Sequence, residues 1–272
     1  MHRSRIRAGR RPFVGALVAL VAVVSITAAT TACEPARSPA RNHPVLLVHG
    51  WSASGGTDCG GAFDRMIGQM KSEGFTGPFV KVGFYTGDSN CDMTLRDWGS
   101  FDNGSSWKDV AKAFSKYVSA TYSTKGKTVD VVGYSMGGDI VRGAVYGSSI
   151  KESGFSAPIK VQDAVAFGSP FNGAAWYSSF CLWGQCSTMK PGATDIKWLN
   201  QNGNPQGDGG TEWTVFGSDG DAVTPVDSAL DMSVPDARKV RYPDVPHTGS
   251  DNYMGRDYIV TRADDALAKV DS

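Results

Sequence analysis

The sequence predicts an α/β fold: a mostly parallel central sheet with helices on both faces and a small loop-rich insertion. Three observations carry this expectation. Val45-Leu46-Leu47-Val48 is an uninterrupted apolar run, the signature of a strand buried on both faces of a parallel sheet. Short runs rich in β-branched residues alternate with segments of helical period along most of the chain. Finally, Gly133-Tyr134-Ser135-Met136-Gly137 sits where an apolar strand-like run gives way to a helical one.

The N-terminus has a different logic. Arg3 to Pro12 is basic, Phe13 to Ile26 is a short apolar stretch, and Ala28 to Ala32 is a run of small residues. That layout is a secretory signal over residues 1–32. The apolar stretch is 14 residues long, short of the roughly 20 needed to span a bilayer as a helix. Arg10-Arg11-Pro12-Phe13 resembles a twin-arginine signal. Residues 33–43, with Pro35, Ser38, Pro39 and Arg41, read as a linker, and 44–272 as one domain.

Within that domain the elements follow in order. After Val45–Val48 and a glycine-rich loop, Phe63, Met66, Ile67 and Met70 share one face of a helix expected over Phe63 to Lys71. Phe79 to Tyr85 is the next strand. Ser106 and Asp109 form a capping pair for a helix running to Tyr122. Thr128 to Val132 is a strand, Gly137 to Tyr146 a helix and Val161 to Phe167 a strand. Residues 169–210, rich in Gly, Asn and aromatics, form the insertion. Glu212 to Phe216 and Lys239 to Tyr242 are the last strands, and Arg256 to Val270 is the closing helix.

Composition narrows the function classes. The 272 residues include 27 basic and 27 acidic side chains, but five arginines and no acid fall in residues 1–32. The remainder therefore carries 22 basic against 27 acidic side chains, a balance unsuited to phosphate backbones, so no nucleic-acid partner is expected. Gly55, Gly56, Gly60 and Gly61 lack the lysine of a phosphate-binding loop. No His or Cys cluster has metal-ligand spacing, so the chemistry calls for no metal and no cofactor. A structural calcium ion is left open, because its ligands need no local motif. The expected oligomeric state is a monomer.

Cysteines add a constraint. Cys59, Cys91, Cys181 and Cys186 lie in the exported body, where disulfides persist. The expected bridges are Cys59–Cys91, joining two glycine-rich loops at one sheet edge, and Cys181–Cys186, closing a short loop. Cys33 directly follows Thr30-Thr31-Ala32, which resembles a lipoprotein signal whose cysteine becomes a lipidated first residue. The protein is then secreted, or anchored through Cys33 to the outer face of the membrane.

Chemistry concentrates at the Gly-x-Ser-x-Gly run. In a strand–turn–helix context this is a nucleophile elbow, which exposes Ser135 at a helix N-terminus whose dipole favours negative charge. The serine needs a base. His2 leaves with the signal, His43 lies in the linker and His49 ends the first strand, so His247 is the candidate. An acid is expected between them in the chain. Gly217 to Pro225 offers Asp221, with Asp219 in reserve. Backbone N–H groups of Met136 and Trp51 are the candidate oxyanion donors.

Together, Leu47-Val48-His49-Gly50-Trp51, Val132 to Gly138, the Asp221 loop and the His247 loop resemble small secreted bacterial α/β-hydrolases close to the class 2 triacylglycerol lipases. The resemblance runs from about residue 44 to the end. That family often has His before the serine, where this chain has Tyr134. The resemblance implies an α/β-hydrolase fold and carboxylic ester hydrolysis through an acyl-enzyme. An acyltransferase with the same triad, or a non-catalytic scaffold at the cell surface, are the competing expectations. Phe171, Trp176, Tyr177, Phe180, Leu182 and Trp183 form either an apolar wall for an acyl ester or lipid substrate, or part of the core.

Overall fold

A computed structural model describes residues 41–174, 183–203, 207 and 210–268. The expected signal peptide, most of the linker with Cys33, and Cys181 lie outside the described residues. The body, Arg37–Ser272, is one compact unit.

Seven strands form one sheet: β1 (Val45–Val48), β2 (Phe79–Gly83), β3 (Met93–Thr94), β4 (Val129–Tyr134), β5 (Val161–Phe167), β6 (Glu212–Ser218) and β7 (Lys239–Tyr242). Their spatial order is β3-β2-β1-β4-β5-β6-β7, and every adjacent pair is parallel. Among the described residues the α-helices are α1 (Cys59–Ser72), α2 (Trp107–Thr121), α3 (Met136–Ser149), α4 (Gly184–Thr188), α5 (Thr194–Asn200), α6 (Val226–Ala229) and α7 (Asp257–Leu267).

The apolar run of β1 explains the layering. Alternate residues of a strand point to opposite faces. Val45 and Leu47 join Phe63, Met66, Met70, Ile259 and Val260 in the core beneath α1 and α7. Leu46 and Val48 join Trp107, Phe114, Ile140 and Val141 in the core beneath α2 and α3. All four β1 side chains are fully buried, which is why polar alternation is missing there.

This topology decides where the site lies. The chain builds outward from β1 through β2 to β3, then returns to place β4 on β1's other side, with Val48 opposite Gly133. Such a switch point opens a crevice at the carboxyl ends of the strands. Here those ends carry His49-Gly50-Trp51 and Tyr134-Ser135.

Several elements differ from expectation. Helix α1 starts at Cys59, four residues early, because Asp58 caps it by accepting from Gly60 N at 3.1 Å. The Ser106 half of the α2 cap is present, with Oγ accepting from Lys108 N at 3.0 Å. Asp109 does not reach back to complete the pair; its carboxylate meets Lys112, one turn on, at 2.8 Å. The short β3 and α6 carry too few residues to show a period in sequence. The insertion contains α4 and α5, whose buried Gln185, Cys186, Ile196 and Leu199 fasten it to the body.

Candidate active site

Strand β4 delivers Ser135 to the head of α3 through a turn in which Ser135 adopts φ 56°, a conformation unfavourable for any residue with a Cβ. The flanking glycines make this turn sterically feasible. A Cβ on Gly133 would lie 2.5 Å from Gly138 Cα, and one on Gly137 would lie 2.1 Å from the Val48 carbonyl oxygen.

Three side chains from separate segments meet at this turn. His247 Nε2 lies 2.9 Å from Ser135 Oγ, and His247 Nδ1 lies 2.7 Å from Asp221 Oδ2. All three residues are buried. The Asp221 loop leaves β6, and its carboxylate is fixed from the other side by Val223 N at 2.9 Å and Thr224 N at 2.8 Å, both donating to Oδ1. Tyr253 OH donates to Oδ2 at 3.0 Å. Burial first, and then the Asp221 charge, push the Tyr253 phenol well above its ordinary range, so it remains a donor. Asp219, two residues away, points elsewhere and accepts from Arg241 Nε at 3.0 Å at the surface.

Two further residues close the arrangement around His247. Tyr134 OH donates to the His247 carbonyl, and the rings stack with centroids 5.4 Å apart. Gly168 leaves φ at 52° and keeps space open: a Cβ there would sit 2.9 Å from Asp221 Oδ2 and 3.3 Å from His247 Nδ1. Neither Gly168 nor Tyr253 has a motif of its own; both are recognisable only by their distance to Asp221 in the folded chain.

A family model described as lipase (class 2) matches residues 42–221, well over half of the chain. The chain belongs to the class 2 lipase family. The matched span includes Ser135 and Asp221 and stops before His247. No curated protein sequence matches the chain. Among solved structures, phospholipase PlaB from Legionella pneumophila in complex with thio-NAD is similar at TM-score 0.60 and 15% identity, over 84% of this chain and 59% of that one. Aspergillus fumigatus lipase B is similar at TM-score 0.57 and 17% identity, over 84% and 53%. Mature Bacillus licheniformis lipase BlEst2 gives TM-score 0.55 and 12% identity, over 86% and 95%. The chain thus spans less than two thirds of the first two, and at these identities the likeness establishes the α/β-hydrolase fold.

In this class 2 lipase family member, the loop after β1 runs directly over the serine. A Cβ on Gly50 would lie 2.6 Å from Ser135 Cβ. Where that loop ends, Cys59, the first residue of α1, is joined to the loop after β2 by the disulfide Cys59–Cys91, with Cα atoms 5.0 Å apart. Ser89 N donates to Thr57 O at 2.9 Å, and Cys59 N to Ser89 O at 2.9 Å. Cys186 is also disulfide-bonded, while its expected partner Cys181 lies outside the described residues.

The aromatic wall is only partly where the sequence suggests. Phe171 is fully buried in the core under the Arg142 guanidinium. Trp183 is 44% exposed and meets Trp51 edge-on, with ring centroids 5.6 Å apart. Trp176, Tyr177, Phe180 and Leu182 lie outside the described residues.

Proposed function

We propose that this chain is a secreted serine carboxylic ester hydrolase, a lipase or esterase acting through an acyl-enzyme on Ser135. The observation that carries the reading is the continuous chain Ser135 Oγ, His247 Nε2, His247 Nδ1, Asp221 Oδ2, with contacts of 2.9 and 2.7 Å. In this reading Ser135 Oγ attacks the acyl carbonyl carbon while His247 Nε2 takes its proton. Asp221 fixes the imidazole tautomer and steadies the imidazolium. The backbone N–H groups of Met136 and Trp51 receive the oxyanion, and His247 returns the proton to the departing alcohol oxygen. Water then enters, is deprotonated by the same imidazole, and releases the acid.

Export is supported by the basic and apolar composition of residues 1–32 and by the Cys59–Cys91 bridge, a bond typical of oxidising compartments. Anchoring through Cys33 is tested by feeding cells an alkynyl fatty acid and comparing wild type with Cys33→Ser.

A fluorophosphonate probe tests the enzymatic reading. It should label the wild type on Ser135, and p-nitrophenyl butyrate should be hydrolysed. A folded wild type that takes no label and turns over no ester would be a non-catalytic scaffold.

A further inference from the structure

His49, one residue before Gly50, lies against the loop that carries Trp51, and the proposed reaction gives it no role. Its side chain is 1% exposed and its ring stacks on Phe84 at 4.2 Å. Both ring nitrogens face acceptors: Nδ1 is 2.9 Å from the Gly50 carbonyl oxygen and Nε2 is 3.0 Å from Asp88 Oδ2.

The Asp88 carboxylate, itself 5% exposed, collects three further donors. Phe84 N reaches Oδ2 at 2.6 Å, Tyr85 N reaches it at 2.8 Å, and Thr57 N reaches Oδ1 at 2.8 Å. Burial opposes its charge, but the bond from His49, the charge of that ring and the Phe84 and Tyr85 amides outweigh it, holding Asp88 below the ordinary carboxylate range.

A carbonyl oxygen cannot donate, and an ionised carboxylate cannot either. A neutral imidazole carries one N–H, so either tautomer would press a lone pair against one of these oxygens. Only the doubly protonated ring satisfies both contacts.

We propose that His49 and Asp88 form a buried imidazolium–carboxylate pair that orients the oxyanion donor of Trp51. The proposal rests on the ester-hydrolase reading above. The route is a single peptide group. Gly50 C=O and Trp51 N–H belong to the same planar trans amide, so they point in opposite directions. Fixing the carbonyl on the His49 N–H therefore fixes the direction of the Trp51 N–H. A charged donor on the carbonyl also polarises the amide, making its N–H a better donor. His49 and Asp88 are positioning residues: they act through the Gly50–Trp51 peptide and touch no substrate.

Two measurements test this on the full-length exported protein. In Asp88→Asn and His49→Gln, kcat for p-nitrophenyl butyrate should fall about tenfold to a hundredfold, a part of the loss seen when an oxyanion donor is removed. KM should change less than threefold, and the fluorophosphonate should still label Ser135 stoichiometrically. A folded Asp88→Asn variant with kcat within twofold of wild type would overturn the proposal. Long-range proton–nitrogen correlation on the wild type gives an arm independent of activity and of how the variants fold. It should show both His49 ring nitrogens protonated at neutral pH, and a ring with one protonated nitrogen would equally overturn it. Failure of the hydrolase reading has a different signature, a wild type that neither reacts with the probe nor hydrolyses ester.

Discussion

Tyr134 OH donates to the backbone carbonyl of His247 while its ring stacks on the imidazole, so the residue before the serine holds the loop that faces it. Strand β4 thus fixes both ends of the Ser135–His247 contact. This is the position where the family often has histidine, and a phenol reaches the carbonyl from there. Tyr134→Phe keeps the stacking and removes the hydrogen bond. A bond of about 1 kcal/mol converts to roughly a fivefold effect, so kcat should fall by about that factor with KM little changed. Stopped-flow acylation of Ser135 measures it directly. An acylation rate equal to wild type would show that the His247 loop keeps its place without Tyr134.

Ser135→Ala and His247→Ala should each abolish most hydrolysis, and the double variant should be little worse than either, because the groups act as a unit. Asp221→Ala should be far more damaging than Asp219→Ala, whose side chain accepts from Arg241 at the surface. Retention of even a tenth of wild-type turnover in Ser135→Ala would remove it from the nucleophile's role.

Local signals made much of this legible before folding. The four apolar residues of β1 required burial on two faces, and a parallel sheet with helices on both sides provides it. Ser135 announced itself because the elbow's tight turn demands glycine at fixed offsets, and His247 because no other histidine lay downstream. Asp88, Gly168 and Tyr253 were not legible. Each matters through one contact with a partner 32 or more residues away, Asp88 with His49 and the other two with Asp221, and an isolated Asp, Gly or Tyr has no periodicity. Asp109 was misread for the converse reason: a local pattern fitted, but Lys112 offered the carboxylate a competing partner.

The Cys59–Cys91 bridge closes a separation of 32 residues. Chain-entropy arguments put the stabilisation at about 3–4 kcal/mol. The paired substitution Cys59→Ser with Cys91→Ser should lower the urea midpoint accordingly. It should also lower kcat, since the bridge anchors the α1 end of the loop bearing Gly50 and Trp51. Loss of stability with kcat unchanged would confine the bridge to a structural role.

A titration is built into the packing of α7 on α1. Burial first, and then contact with and charge from Glu73, push Asp264 up to about 8. A raised carboxyl favours the folded state while it is protonated, so its contribution is complete below about 4, its unfolded value, and is lost as pH rises through about 8. The thermal midpoint should fall across that window in the wild type. Asp264→Asn should flatten the decline, because the amide never ionises. Parallel melting curves for the two proteins between pH 4 and 9 would disprove this assignment.

The rim of the crevice points to the kind of ester taken. Trp51 and Trp183 meet edge to face, and Trp51 also packs with Val223 against the buried Ala174 and Cys186. Trp183 remains 44% exposed, leaving apolar area that a bound acyl chain could cover. Each fully buried CH₂ is worth about 0.8 kcal/mol, close to a fourfold gain per methylene. Values of kcat/KM should therefore climb from p-nitrophenyl acetate to butyrate to octanoate until the apolar surface is filled. They should depend little on salt, since apolar contact leaves no ion pair to screen. Trp183→Ala should flatten the series while leaving the acetate rate near wild type, because acetate is too short to use that surface. Preference for acetate over every longer chain would instead indicate a closed acyl pocket. A steep loss of activity at moderate salt, with structure intact, would mean that charge draws the substrate in.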